Sequence, residues 1–188
     1  MNLNSGILFA VSAALFLSTS VSSCKRTADP RRIATVDSLI NAVEAVRLTL
    51  NELDTDRYAD AQAIFRSRSA LFLERFNDTL DKPTAAILGE QFVQLRESAH
   101  RAADHRMMLD AAQRTAIRLK ELQQDMIHVA LPEEGTRTAL VQETAVVEGI
   151  ENGVMQVIAN YQANHRVLEH QASVDSLLAD TLPERRTR

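Results

Sequence analysis

Two carboxylate–histidine pairs are the residues of this chain whose types and spacing could hold a metal ion. Glu97 and His100 are three positions apart, and His165 and Glu169 are four apart, so each pair shares one face of a helix. Pairs of this kind that project into a helical bundle bind iron or manganese. If the segments that carry them form a helical hairpin that turns near Glu133, the four side chains lie at a similar height, that is, at a similar position along the long axis of the bundle. A metal site at these four positions is therefore one hypothesis.

The same region also suits two plainer interpretations. His105 and His170 fall at this height as well, and a layer of polar residues can fix the register between helices. Alternatively, the histidines are simply exposed to solvent. Arg66 and Arg68 are expected at this height of the first helical segment, where a positive charge would oppose a bound cation.

Cys24, the only cysteine, could carry a covalent lipid. It follows small residues and an apolar core of about eleven residues between Ile7 and Leu17, which is the pattern of a secretory signal peptide. A membrane-spanning helix needs about 20 apolar residues. The residues Val21-Ser22-Ser23-Cys24 resemble the lipobox of bacterial lipoproteins. The resemblance implies cleavage before Cys24 and acylation of its thiol and amino group, which would anchor the protein to a membrane.

The lipoprotein resemblance also implies a location. The residue after the cysteine is Lys25 and not aspartate, which in the enterobacterial sorting rule favours the outer membrane, facing the periplasm. The body of the chain resembles the small helical lipoproteins of Gram-negative envelopes. An ordinary secretory leader followed by a free cysteine, and a permanent membrane span, are the alternatives.

Composition excludes several classes of function. Residues 1–23 contain no charged side chain, so the formal charge of −4 belongs to the remainder, and a mildly acidic chain is not expected to bind nucleic acid. A single cysteine cannot form an internal disulfide or a zinc–thiolate site. Nucleophile elbows, phosphate-binding loops and His-Glu-x-x-His motifs are missing. We therefore expect no enzymatic activity and no cofactor apart from the lipid on Cys24 and the metal considered above.

Four prolines divide the chain into the elements that must position these residues. Pro30, Pro83, Pro132 and Pro183 leave three long segments without proline, and proline is excluded from helix interiors. Apolar residues recur within each segment at spacings of three and four, which predicts one apolar face per helix. The predicted fold is all-α, an elongated, coiled-coil-like antiparallel bundle of three long helices at about 32–80, 84–130 and 136–181.

Two places could interrupt these helices. Asp54-Thr55-Asp56 are poor residues for a helix interior and could cap a new helix, so a break at 54–57 would give four helices. Gly149 and Gly153 lie on one face and could allow close packing or a bend.

The resulting organisation has four parts: a signal peptide at 1–23, a lipidated tether at 24–32, a bundle at 33–182 and a basic tail at 183–188. Long helices with such apolar faces commonly bind a partner helix or self-associate. We therefore predict a membrane-anchored structural or protein-interaction module. The alternative is a bundle that binds a metal or small ligand through the Glu/His cluster.

Overall fold

The computed structural model describes residues 28–77 and 79–179, and over these residues the fold is all-α, as predicted. The described part contains five helices and no strand: α1 is Pro30–Glu52, α2 is Asp56–Phe76, α3 is Lys82–Ile127, α4 is Glu133–Glu169 and α5 is Gln171–Ala179. The prediction of three long helices is wrong in number, because the first segment is broken at 53–55 and the third at residue 170. The predicted signal peptide, Cys24 and the basic tail lie outside the described residues.

The five helices form three columns. Lys120 Nζ of α3 lies 2.9 Å from Glu44 Oε1 of α1, and Arg118 Nε of α3 lies 3.0 Å from Glu143 Oε1 of α4. Leu50, later in α1, contacts His105, which is earlier in α3, so residue numbers rise along α1 as they fall along α3. Late residues of α3 also face early residues of α4. Helix α3 therefore runs antiparallel to both. Helices α1 and α2 form one column, α3 the second, and α4 with α5 the third.

Prolines and acidic caps set where the columns begin. Asp29 and Asp81 have extended backbones, and their side chains accept hydrogen bonds from the backbone N–H of Arg31 and of Thr84, at 2.9 and 2.8 Å. Pro30 and Pro83 follow within the first turn, where a missing N–H costs nothing. The proline punctuation thus marks the helix starts correctly, whereas neither internal break involves proline.

The hydrophobic core is divided into two clusters along the bundle axis. The first is built by α1, the second half of α3 and most of α4. Its buried members are Val36, Val43, Val46, Leu50, Ala112, Ala116, Leu119, Leu122, Met126, Val147, Ile150, Val154 and Val157. The second cluster is built by α2, the start of α3, the end of α4 and α5. Its buried members are Ala61, Phe72, Leu88, Leu95, Val167 and Val174.

The turn between α3 and α4 contains the one non-glycine residue with a positive φ in the described part. Val129 has φ of 53°. Its N–H donates to Met126 O, and the N–H of Ala130 donates to Asp125 O at 2.8 Å. This double hydrogen bond is the Schellman motif, whose left-handed position normally holds glycine. The β-branched side chain of Val129 is therefore strained there.

Candidate functional site: a buried polar layer at the helix break

Three buried polar side chains lie between the two apolar clusters, level with the break between α1 and α2. Tyr58 of α2 and His105 of α3 are each 2% exposed, and Asn164 of α4 is 0% exposed. Together with their hydrogen-bond partners we call them the polar layer. Burial of a polar group costs free energy unless the group is hydrogen-bonded, so the hydrogen bonds of this layer decide whether it stabilises or destabilises the core.

His105 is bonded to the end of α1. Its Nε2 lies 3.0 Å from the carbonyl oxygen of Leu50, which in a continuous helix would accept from the N–H of Asp54. Because the carbonyl can only accept, Nε2 carries the proton. Burial lowers the pKa of His105, with the bond to Leu50 opposing that effect, so the neutral imidazole is favoured. The break leaves this carbonyl a longer bond from the Leu53 N–H, at 3.3 Å, and His105 supplies the second, shorter one.

Tyr58 fills the space between α3 and α4. Its ring meets those of His105 and Tyr161 edge to face, with centroids 5.7 and 6.1 Å apart, a favourable geometry for aromatic pairs. Burial, as the largest cause, raises the pKa of Tyr58 to about 12. The phenol therefore stays protonated at neutral pH.

Arg101 provides positive charge at the edge of the polar layer. Its guanidinium donates to Asn164 Oδ1 at 3.0 Å and to Gln94 Oε1 at 2.5 Å. Within residues 28–77 and 79–179 no carboxylate forms an ion pair with it, and desolvation lowers its pKa. The arginine thus fixes the orientation of the Asn164 amide, because a guanidinium can only donate and must face the amide oxygen.

A second side chain of α3 is hydrogen-bonded to the backbone at the break between α4 and α5. Gln91, also buried, donates from Nε2 to the carbonyl oxygen of Val167 at 2.9 Å. That carbonyl would accept from the N–H of Gln171 if α4 and α5 were continuous. A side chain inserted into the hydrogen-bond ladder is a recognised cause of a sharp kink. Gln91 therefore accounts for the interruption at His170.

Arg101 and Asn164 are hydrogen-bonded, so their neighbours His100 and His165 lie at a similar height along the bundle, but the four metal candidates do not converge. His165 Nε2 lies 3.2 Å from Glu169 Oε1, so this pair meets as predicted. Glu97 instead accepts from Arg96, and the exposed His100 lies 3.8 Å from Asp104.

His165 lies between a carboxylate and a cation, because Glu169 contacts its Nε2 and an arginine contacts its other nitrogen. Arg57 Nη1 lies 3.0 Å from its Nδ1, a different arginine from the two expected at this height. Over the described ranges, no group of three or more His, Cys, Asp or Glu side chains is arranged to hold a metal ion. Metal binding at these residues stays a prediction.

Sequence reasoning found His105 by its height but did not single out Tyr58, Arg101 or Asn164. Tyr58 follows the predicted break by two residues, and Asn164 is the only polar residue among the buried positions between Val157 and Val167 of α4. A polar residue at a core position of an apolar face was the available signal.

Comparisons with known proteins identify no homologue of this chain. No protein-family model matches the chain, and searches of curated proteins and of solved structures found no significant similarity. Within the described residues, no helix is long and apolar enough to cross a membrane.

Proposed function

We propose that this protein is a lipid-anchored, non-enzymatic interaction module of the bacterial envelope, attached through Cys24 to the outer membrane and facing the periplasm. The observation that carries the proposal is that the chain enters the bundle at one end, while the other end carries exposed apolar side chains that include the aromatic Phe76. The lipobox resemblance of Val21-Ser22-Ser23-Cys24 supports the anchor.

The entry end, which we call the proximal end, is formed by the start of α1, the end of α3 and the start of α4. Arg32 Nη2 lies 3.1 Å from Glu133 Oε1 there. Residues 25–29 separate Cys24 from α1, and the six residue steps from Cys24 to Pro30 span at most about 22 Å even when fully extended. An acylated Cys24 would therefore hold the proximal end close to the membrane surface.

The opposite, distal end lies far from the proximal end. Helix α3 contains 46 residues, and at 1.5 Å per residue it is about 69 Å long. The α2–α3 turn would accordingly stand tens of ångströms from the lipid. A bundle of this length can position a contact surface at a set distance from the membrane.

The distal end carries exposed apolar side chains, including the exposed aromatic side chain Phe76. Twelve large apolar side chains are exposed in the described part, and five of them lie in the second half of α2 or the first quarter of α3: Leu71, Leu73, Phe76, Ile87 and Val93. Exposed apolar surface and aromatic residues are typical of protein contact surfaces. We therefore assign partner binding, or self-association, to the distal end.

Two variants test the two halves of this proposal. Cys24→Ala should abolish incorporation of labelled fatty acid and release the protein from the outer-membrane fraction. Leu73→Glu should reduce recovery of a co-purifying partner or of the self-associated form. Met155→Glu is the matched control, because Met155 is 66% exposed against 56% for Leu73 but lies midway along α4. If both variants recover the partner, or the self-associated form, as well as the wild type does, binding at the distal end is refuted.

A further inference from the structure

The polar layer contains three buried atoms whose hydrogen-bonding capacity is unused. Among the described residues, Tyr58 Oη, His105 Nδ1 and Asn164 Nδ2 have no hydrogen-bond partner. Each belongs to a side chain that is at least nine-tenths buried. Buried polar atoms almost always have a partner in folded proteins, so three in one layer indicate that something binds there.

The hydrogen bonds already formed by these side chains define whether each unpartnered atom needs a donor or an acceptor. Since His105 Nε2 donates to Leu50 O, its Nδ1 is an acceptor that needs a donor. Since Asn164 Oδ1 accepts from Arg101, the unpartnered Nδ2 is a donor that needs an acceptor. The Tyr58 hydroxyl can serve in either role.

These requirements select the chemical class of the ligand. An anion would accept from Asn164 and Tyr58 but could not donate to His105. A metal cation could bind His105 Nδ1, yet it would face the Asn164 amino group and the positive charge of Arg101. A molecule that both donates and accepts can pair with each of the three atoms, and water is the smallest such molecule.

We propose that the polar layer holds an ordered internal water that donates to His105 Nδ1 and accepts from Asn164 Nδ2, with Tyr58 Oη as a further partner. The site joins α2, α3 and α4 directly beside the α1–α2 break. Through His105 it also connects to Leu50, so it belongs to the network that holds the broken column against α3. This role is independent of the lipid anchor and of any partner.

Nitrogen-15 NMR of the His105 imidazole tests the proposal. The chemical shift of Nδ1 should be that of a hydrogen-bonded acceptor nitrogen in the wild type, and should remain so in Tyr58→Phe, because the water keeps two partners. Tyr161→Phe is the matched control, with the same chemical change on a ring that contacts Tyr58. If Tyr58→Phe moves the shift to that of a free nitrogen, Tyr58 bonds His105 directly and the proposal is overturned.

A second measurement uses the wild-type chain, so it does not require that any variant folds. A crystal structure of the wild-type chain that resolves ordered water should show a peak within hydrogen-bond distance of His105 Nδ1. A bromide-soaked crystal identifies an anion by anomalous scattering. An anomalous peak beside Arg101 and Asn164, or continuous protein contact at Nδ1 without a peak, would overturn the water site.

Discussion

The imidazole Nε2 of His105 lies 3.0 Å from the backbone carbonyl of Leu50, where α1 loses its own hydrogen-bond ladder. The same relationship recurs at the second break, where Gln91 Nε2 lies 2.9 Å from Val167 O. Both side chains belong to α3, the only unbroken column. The long central helix thus supplies a side-chain donor to each interrupted neighbour.

Removal of the His105 side chain should destabilise the bundle strongly. His105→Ala leaves a cavity in a buried layer and leaves the Leu50 carbonyl with only the 3.3 Å bond from the Leu53 N–H, so we expect a loss of about 2–4 kcal/mol in the free energy of unfolding. Urea denaturation measures this loss. His100→Ala is the control, because that exposed side chain should change stability by no more than about 0.5 kcal/mol. Similar losses in the two variants would contradict a special role for His105.

Stability should also depend on pH through His105. Burial lowers its pKa below the ordinary value of 6.5, so below about pH 6.5 the unfolded chain binds a proton that the folded chain does not. The contribution is fully present above that pH and is lost as the pH falls toward the folded-state pKa.

Unfolding at about pH 7.5 and about pH 5.5 checks this dependence. His105→Gln should lose less stability than the wild type between the two conditions, because glutamine does not titrate. His100→Gln should keep the wild-type difference. A His105→Gln variant with an unchanged difference would show that other groups cause the acid sensitivity.

The two glycines of α4 should respond differently to alanine. A Cβ at Gly149 meets nothing within 4 Å, whereas a Cβ at Gly153 would collide with Met108 Cε of α3. Gly149→Ala should therefore stabilise the helix by about 0.5–1 kcal/mol. Gly153→Ala should stabilise less than Gly149→Ala, because the flexible end of the Met108 side chain must shift to make room for the new methyl group. Thermal unfolding compares the pair, and equal stabilisation of both would contradict the close approach at Gly153.

Glycine should be favoured at position 129. Val129→Gly removes the cost of a left-handed β-branched residue at the end of α3, so we expect a stabilisation of about 1 kcal/mol. Val141→Gly makes the same chemical change at an exposed site inside α4 and should destabilise by about 0.5 kcal/mol, since valine is itself a poor helix former. Calorimetry that gives both variants the same sign would refute the strain at Val129.

Much of the fold follows from local signals, and the rest depends on contacts between columns. Prolines and helical periodicity predict where the columns begin, and the residues Asp54-Thr55-Asp56 point to the first break. The second break carries no comparable signal, because its cause, Gln91, lies in another helix.

The candidate metal site shows the same division between local and tertiary information. The height of a residue follows from its number, so His105 and His165 were correctly placed level with each other: they contact the adjacent residues Tyr58 and Arg57. The direction in which a side chain points depends on its rotation about the helix axis. His100 and His105 are five positions apart, about 140° at 3.6 residues per turn, so the former is exposed while the latter is buried.

Photocrosslinking in the intact envelope tests most directly whether an anchored chain uses its distal end for contact. A photoreactive amino acid would replace Leu73 at the distal end or Met155 midway along α4, in chains with and without Cys24. We predict one dominant adduct, with a partner or a second copy, from position 73 only, and its loss when Cys24→Ala releases the chain from the membrane. Equal adducts from both positions, or an adduct from 73 that is unaffected by Cys24→Ala, would contradict a membrane-anchored module with a distal contact surface.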